Sequence, residues 1–265
     1  MTSASYFTAL GDGRYRATEH AGSAWGDDGL HFSPVAGLLT HHLEQWRGAH
    51  ADGAKTIGRV SFDILGRIAD DEIEIETRVL RPGRTIELLE TTASIQGRPT
   101  ITARAWALSD VDTSAVAGDE WALLPSPDGL TSSPVAETWP GGYIRSIDVR
   151  HAGEPRPGRA AAWITTEVAL VDGEEAGPLA SYVALIDTAN GIAVREHPSE
   201  WMFPNLDLTI HFFRRPEGRW NGFDTTVTFG PSGQGLTSSV LYDLAGPVGT
   251  AQQLLTVRPN TAPLR

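Results

Sequence analysis

The stretches Arg59-Val-Ser-Phe-Asp-Ile-Leu65 and Asp207-Leu-Thr-Ile-His-Phe-Phe213 alternate apolar with polar side chains as half-buried strands do, and they lie about 148 residues apart. Working outward, each sits in the same order of elements. Ahead of the first, Ser33-Pro34 reads as an N-cap followed by proline at the first helical position. Val35, Leu38, Leu39, His42, Leu43 and Trp46 follow at helical spacing, which places His42 on the buried stripe and His41 outside it. Ahead of the second, strands at 143–149 and 161–171 lead to a helix that opens at Gly177-Pro178. It carries Leu179, Tyr182, Val183 and Ile186 on one stripe and closes near Asn190-Gly191, with Asp187 in its last turn. Strands at 73–80, 85–94 and 101–108 follow the first stretch, and strands at 220–229, 235–242 and 250–257 follow the second. Under the same shift Gly97 falls close to Gly246.

A helix followed by a meander of strands, given twice, predicts an α+β chain of two tandem antiparallel sheets, each wrapped around a central helix. Pairing the halves edge to edge removes the strand edge that each would expose alone. The expected boundaries are an N-terminal unit over 1–110, a linker over 111–142 rich in Ser, Asp, Pro and Gly, and a C-terminal unit over 143–265.

Composition narrows the chemistry. The chain has 265 residues, 40% of them hydrophobic and 20% charged, as in globular proteins. A net charge of -12 opposes the phosphate neutralisation on which nucleic-acid binding rests, so no nucleic-acid partner is expected. The absence of Cys removes disulfides, thiolate nucleophiles and Cys-ligated metals, and fits a cytoplasmic protein. Met1 to Gly13 holds no basic stretch followed by an apolar one, and no run of apolar residues reaches membrane-spanning length, so no membrane insertion is expected. The adjacent His41 and His42 diverge by about 100° on a helix and do not form the i, i+4 pair of a zinc site. No metal is expected. Neither a G-x-S-x-G elbow, a Walker loop nor a strand-G-x-G-x-x-G-helix arrangement is present, which argues against serine hydrolases, NTPases and Rossmann dehydrogenases. The eight Trp residues read as core or pocket lining.

Three segments of the second half carry a resemblance: Gly177-Pro-Leu-Ala-Ser-Tyr-Val-Ala-Leu-Ile-Asp187, Asn205-Leu-Asp-Leu-Thr-Ile-His-Phe-Phe-Arg-Arg-Pro216 and Gly246-Pro-Val-Gly-Thr-Ala-Gln-Gln-Leu-Leu255. Together with Arg59-Val-Ser-Phe-Asp63 and Val79-Leu-Arg-Pro-Gly-Arg84, they resemble the bacterial acyl-CoA thioesterase II family. The resemblance implies a double hot-dog fold, an acyl-CoA substrate, a place in fatty acid metabolism and no cofactor. It also implies hydrolysis by a water that an Asp, a Ser or Thr and a Gln hold together. Carried over residue by residue, these are Asp187, Thr209 and Gln253.

The three suit the task, since a carboxylate can take the proton of a water and a hydroxyl and an amide can orient it. Thr209 shares its strand face with Asp207 and His211, and a shift of one residue would turn it to the other face, so Asn205 is the competing occupant. Gln253 stands beside Gln252, and one of the two must point inward. The first-half counterparts fall near Leu38 and Arg104, which implies a catalytically silent first half that shapes the acyl pocket. The further substrate contacts are Gly37, where close approach to an oxyanion is expected, Asn190, and Arg214 and Arg215 for the CoA phosphates. The alternatives are a non-catalytic hot-dog that binds acyl or aromatic ligands and a hot-dog hydratase. A homo-oligomer is compatible with either.

Overall fold

The computed structural model describes residues 4–26, 29–50 and 55–261. The first half comprises β1 (Ser5–Gly11), β2 (Arg14–Ala17), α1 (Phe32–His50), β3 (Lys55–Ile64), β4 (Ile73–Arg81), β5 (Ile86–Ile95) and β6 (Arg98–Ser109). The second comprises α2 (Gly142–Ser146), β7 (Ile147–His151), β8 (Arg159–Thr166), β9 (Ala169–Val171), α3 (Pro178–Val183) and α4 (Ala189–Ile192). It continues with β10 (Trp201–Met202), β11 (Asp207–Phe212), β12 (Asn221–Phe229), β13 (Gln234–Asp243), β14 (Gly246–Thr256) and β15 (Arg258–Pro259). The stretch between β6 and α2 is mostly irregular, with two short 3₁₀ turns at Ser114–Val116 and Val135–Glu137.

Among the described residues the two expected sheets are joined into one of 13 strands, in the order β7-β8-β12-β13-β14-β11-β3-β6-β5-β4-β2-β1-β9, beside a small two-stranded sheet of β10 and β15. The duplicated stretches at 59–65 and 207–213 lie at the centre of the larger sheet. β3 and β11 pair antiparallel with Ser61 opposite Thr209, Asp63 opposite Asp207 and Arg59 opposite His211. Ser61 and Thr209 are separated by the same shift of about 148 residues that superposes the halves, so the two halves meet as if about a local two-fold axis. Outward from this join the order is β6, β5, β4, β2, β1 on one side and β14, β13, β12, β8, β7 on the other.

The sheet must curl. β8 lies next to one end and β9 forms the other, yet only Glu167 and Val168 separate them, a reach of about 10 Å. β1 takes β9 as a parallel neighbour, and the Tyr6 hydroxyl bonds Ser146 Oγ at 2.7 Å and Thr166 Oγ1 at 3.1 Å across the seam. The expected single strand over 161–171 is therefore two strands serving opposite ends of one sheet. β1 and β2 have no counterpart among the strands expected from the sequence; the short, polar run at 8–18 gives them a weak apolar pattern.

The curled sheet encloses α1 and α3. A Cβ on Gly37 would collide with Cβ of Ala184, so glycine is what lets α1 cross the end of α3. Gly37 packs the two helices together and is not among the residues that line the cleft beside Asp187. The first half of α1 is buried all round rather than along one stripe, which also reverses the two histidines. His41 is buried, with Nε2 2.9 Å from Glu174 Oε2, while His42 is half-buried at the edge of the Tyr15 ring.

The second helix is broken rather than continuous to Asn190. The Tyr182 carbonyl accepts the Leu185 N–H at 3.2 Å and the Asn221 side-chain amide at 2.7 Å, so it is not left for Ile186. The chain tightens into a 3₁₀ turn, Ile186–Thr188, before α4 begins. Asp187 thus sits in a kink inside the sheet and not in a last helical turn.

Candidate active site

The kink holds Asp187 between β11 and β14. The residue is 5% exposed. Two side-chain amides donate to the same oxygen, Oδ1: Gln253 Nε2 from β14 at 2.7 Å and Asn205 Nδ2, just ahead of β11, at 2.7 Å. Asn205 is itself fixed by a second bond, to the Asp207 carbonyl at 3.0 Å. Oδ2 takes neither donor, and Asp187 lines an open cleft of about 620 Å³. Burial raises the Asp187 carboxyl from its ordinary value to about 7, and the two amides oppose that rise without cancelling it. Gln253 is 1% exposed, and its Oε1 has no partner within the protein.

Thr209 stands elsewhere. It pairs with Gln252 and Ser61 in the sheet, while Leu208 and Ile210, on either side of it, are fully buried. Gln253 points inward and Gln252 does not, so Thr209 shares the outer face. The structure brings Asp187, Gln253 and Asn205 together and leaves Thr209 out. Asn205, the competing occupant, is the residue that bonds Asp187.

His31 lines the cleft beside Asp187. Its Nδ1 accepts the Ser33 N–H at 3.1 Å, so the ring proton resides on Nε2. Its ring stacks on Tyr143 with centroids 4.1 Å apart. Burial pulls its pKa down to about 3. The 3.9 Å approach of Nδ1 to Asp187 Oδ2 is therefore a contact between a neutral ring and the carboxyl, not an ion pair. No sequence spacing points to His31; only the fold places it here.

Of the expected substrate contacts, Asn190 lines the cleft. Arg214 and Arg215 do not. Arg214 is committed to the buried Asp243 carboxylate at 2.5 and 2.6 Å and to the Pro247 carbonyl at 2.9 Å. Arg215 is paired with Asp110 at 2.7 Å and bonds Thr56. The cation at the cleft rim on the side of the second half is Arg258.

A second, apolar chamber opens off the cleft at Trp25, His31 and Asn190. The site thus sets the Asp187 carboxyl in a polar cleft with an apolar recess beside it.

Comparison with known proteins bears on this geometry. The family model described as the acyl-CoA thioesterase N-terminal domain matches residues 21–108, and the acyl-CoA thioesterase C-terminal domain matches 127–257. The chain belongs to the acyl-CoA thioesterase family. It is a thioester hydrolase by that membership. Among solved structures it is similar to an acyl-CoA thioesterase II from Mycobacterium marinum, with 16% identity over 96% of each chain and a TM-score of 0.65. A conserved protein of unknown function with a hot dog fold from Alicyclobacillus acidocaldarius gives 15% identity over 99% of this chain and 98% of that one, with a TM-score of 0.72. At these identities the likeness establishes a hot-dog fold. No curated protein sequence matches the chain. Among the described residues no helix is long and apolar enough to cross a membrane.

Proposed function

We propose that this hydrolase cleaves acyl-CoA with a water seated on Asp187 Oδ2. The observation that carries this reading is the division of labour within one carboxylate: both amide donors fall on Oδ1, which leaves Oδ2 without a donor on a residue that lines the cleft. Gln253 and Asn205 hold the carboxyl in place through these two bonds. Asp187 takes one proton as the water oxygen bonds to the thioester carbonyl carbon. Collapse of the tetrahedral intermediate breaks the carbon–sulfur bond, and the proton held on Asp187 passes to the departing CoA thiolate. The Nε2–H of His31, neutral and inside the site, is the donor we assign to the developing oxyanion.

In this reading the halves are two hot-dog units over 1–110 and 143–265, joined by the 111–142 segment, and only the second is catalytic. The first-half positions near Leu38 and Arg104 support this, since Leu38 is fully buried and Arg104 is engaged with Glu90 at 2.9 Å. The test is release of free thiol from acyl-CoAs of graded length, aromatic acyl groups included, by the native chain and by Asp187→Asn. Steady release by the native chain and a loss of about 10²- to 10⁴-fold in the variant are expected. No release above buffer from any thioester would overturn the proposal.

A further inference from the structure

The apolar chamber is small and has a distinct end wall. It is lined by Trp25, Trp139, Ile144, Ile147, Val149 and Ile192, and its volume is about 30 Å³. On the far side of Trp139 lies an outer groove of about 360 Å³, whose lining shares Val135, Trp139, Gly191 and Ile192 with the chamber. Trp139 is thus a partition with the catalytic cleft and chamber on one side and a surface groove on the other. It is fixed in place: the indole N–H donates to the Gly191 carbonyl at 3.1 Å. The ring also packs edge to face on Trp25 at 4.9 Å and Phe203 at 5.8 Å between centroids. The residue comes from the irregular segment between the two halves, where it follows the 3₁₀ turn at Val135–Glu137 and its N–H bonds the Val135 carbonyl at 3.0 Å.

We infer that Trp139 is the acyl-length gauge of this enzyme, and that its substrates are thioesters of short aliphatic acids, from acetyl to about butyryl. The inference rests on the proposed site at Asp187, because that site puts the thioester carbonyl at the mouth of the chamber. A space of about 30 Å³ holds roughly one methyl or methylene group beyond those that stay in the cleft. Each methylene that finds room should raise kcat/KM about fourfold, and the first that meets the indole should reverse the trend.

The experiment measures kcat/KM for straight-chain acyl-CoAs of increasing length in the native chain, Trp139→Ala and the milder Trp139→Leu. Binding of the matching non-hydrolysable thioether analogues is measured by calorimetry on the same proteins. The native chain should peak at about four carbons and fall at least about tenfold by eight. Both variants should move the peak to longer chains, Trp139→Ala further, because the chamber then opens into the outer groove. The analogues should follow the same order in affinity. Native turnover or binding that is as good for long chains as for short ones would overturn the inference, as would an unchanged length profile in a folded Trp139→Leu. If no thiol is released but the analogues still bind by length, the hydrolytic reading fails and the gauge stands.

Discussion

Asp187 is a carboxylate that the fold makes costly to ionise. Because the native chain holds its pKa near 7 while the unfolded chain does not, native stability is lost as pH rises from about 4 to 7 and stays lost above. Asp187→Asn keeps an oxygen for the Gln253 and Asn205 donors and carries no charge. It should therefore be more stable than the native chain at pH 8, by on the order of 4 kcal/mol, with the gap closing toward pH 4 in chemical denaturation. The same substitution that removes activity should raise stability. His31 acts in the opposite direction: its depressed pKa means stability is present above about pH 6.5 and lost as pH falls toward 3. The two slopes oppose each other between about pH 4 and 6.5, so Asp187→Asn should show a steeper acid loss than the native chain there.

Activity has its own dependence on the same group. With Asp187 as base, kcat/KM should rise with pH to a plateau above about 7, since the ionised form accepts the proton. Asn205→Ala removes one donor to the carboxylate, which should move that limb to higher pH as well as lower the plateau. A pH–rate profile of each settles whether Asn205 acts on Asp187 or merely packs beside it.

At the scale of elements, the crossing of α1 over α3 and the kink that follows are one device. Gly37 allows the close crossing, and Asn221 takes the Tyr182 carbonyl, so the chain turns at Leu185 and delivers Asp187 to the strands. Gly37→Ala must push the helices apart and should cost about 1–3 kcal/mol in denaturation midpoint measurements. Its effect on kcat should exceed that of an equally destabilising change far from the kink. The helix pattern of both segments is legible in the sequence. The break is not, because it is made by a side chain some forty residues away in β12, beyond any local periodicity.

At the scale of the molecule, two six-strand halves share one sheet through β3 and β11, and β9 closes the seam against β1. Tyr6 is the residue that ties the seam, and Tyr6→Phe should cost about 1 kcal/mol with the fold retained, by thermal or chemical unfolding. The pairing of Ser61 with Thr209 explains why the duplicated stretches could be found at all. Both lie at the join, where each strand buries one face and pairs along both edges, so each keeps a strict alternation.

What the sequence determined by itself was the repeated order of elements and the alternation of the strands. Both depend on local periodicity, whereas Asp187 and Gln253 stand out only through the family resemblance that their segments carry. The tertiary structure alone decided that the halves form a single curled sheet and that Asn205, not Thr209, reaches Asp187. It also placed His31 beside the carboxyl, and Trp139, from a segment that reads as a linker, in the wall of the apolar chamber. The physical reason is common to all four: each depends on which face of a strand or turn meets a distant segment. A period of two residues fixes alternation, but the inward face and its partner emerge only when the sheet closes.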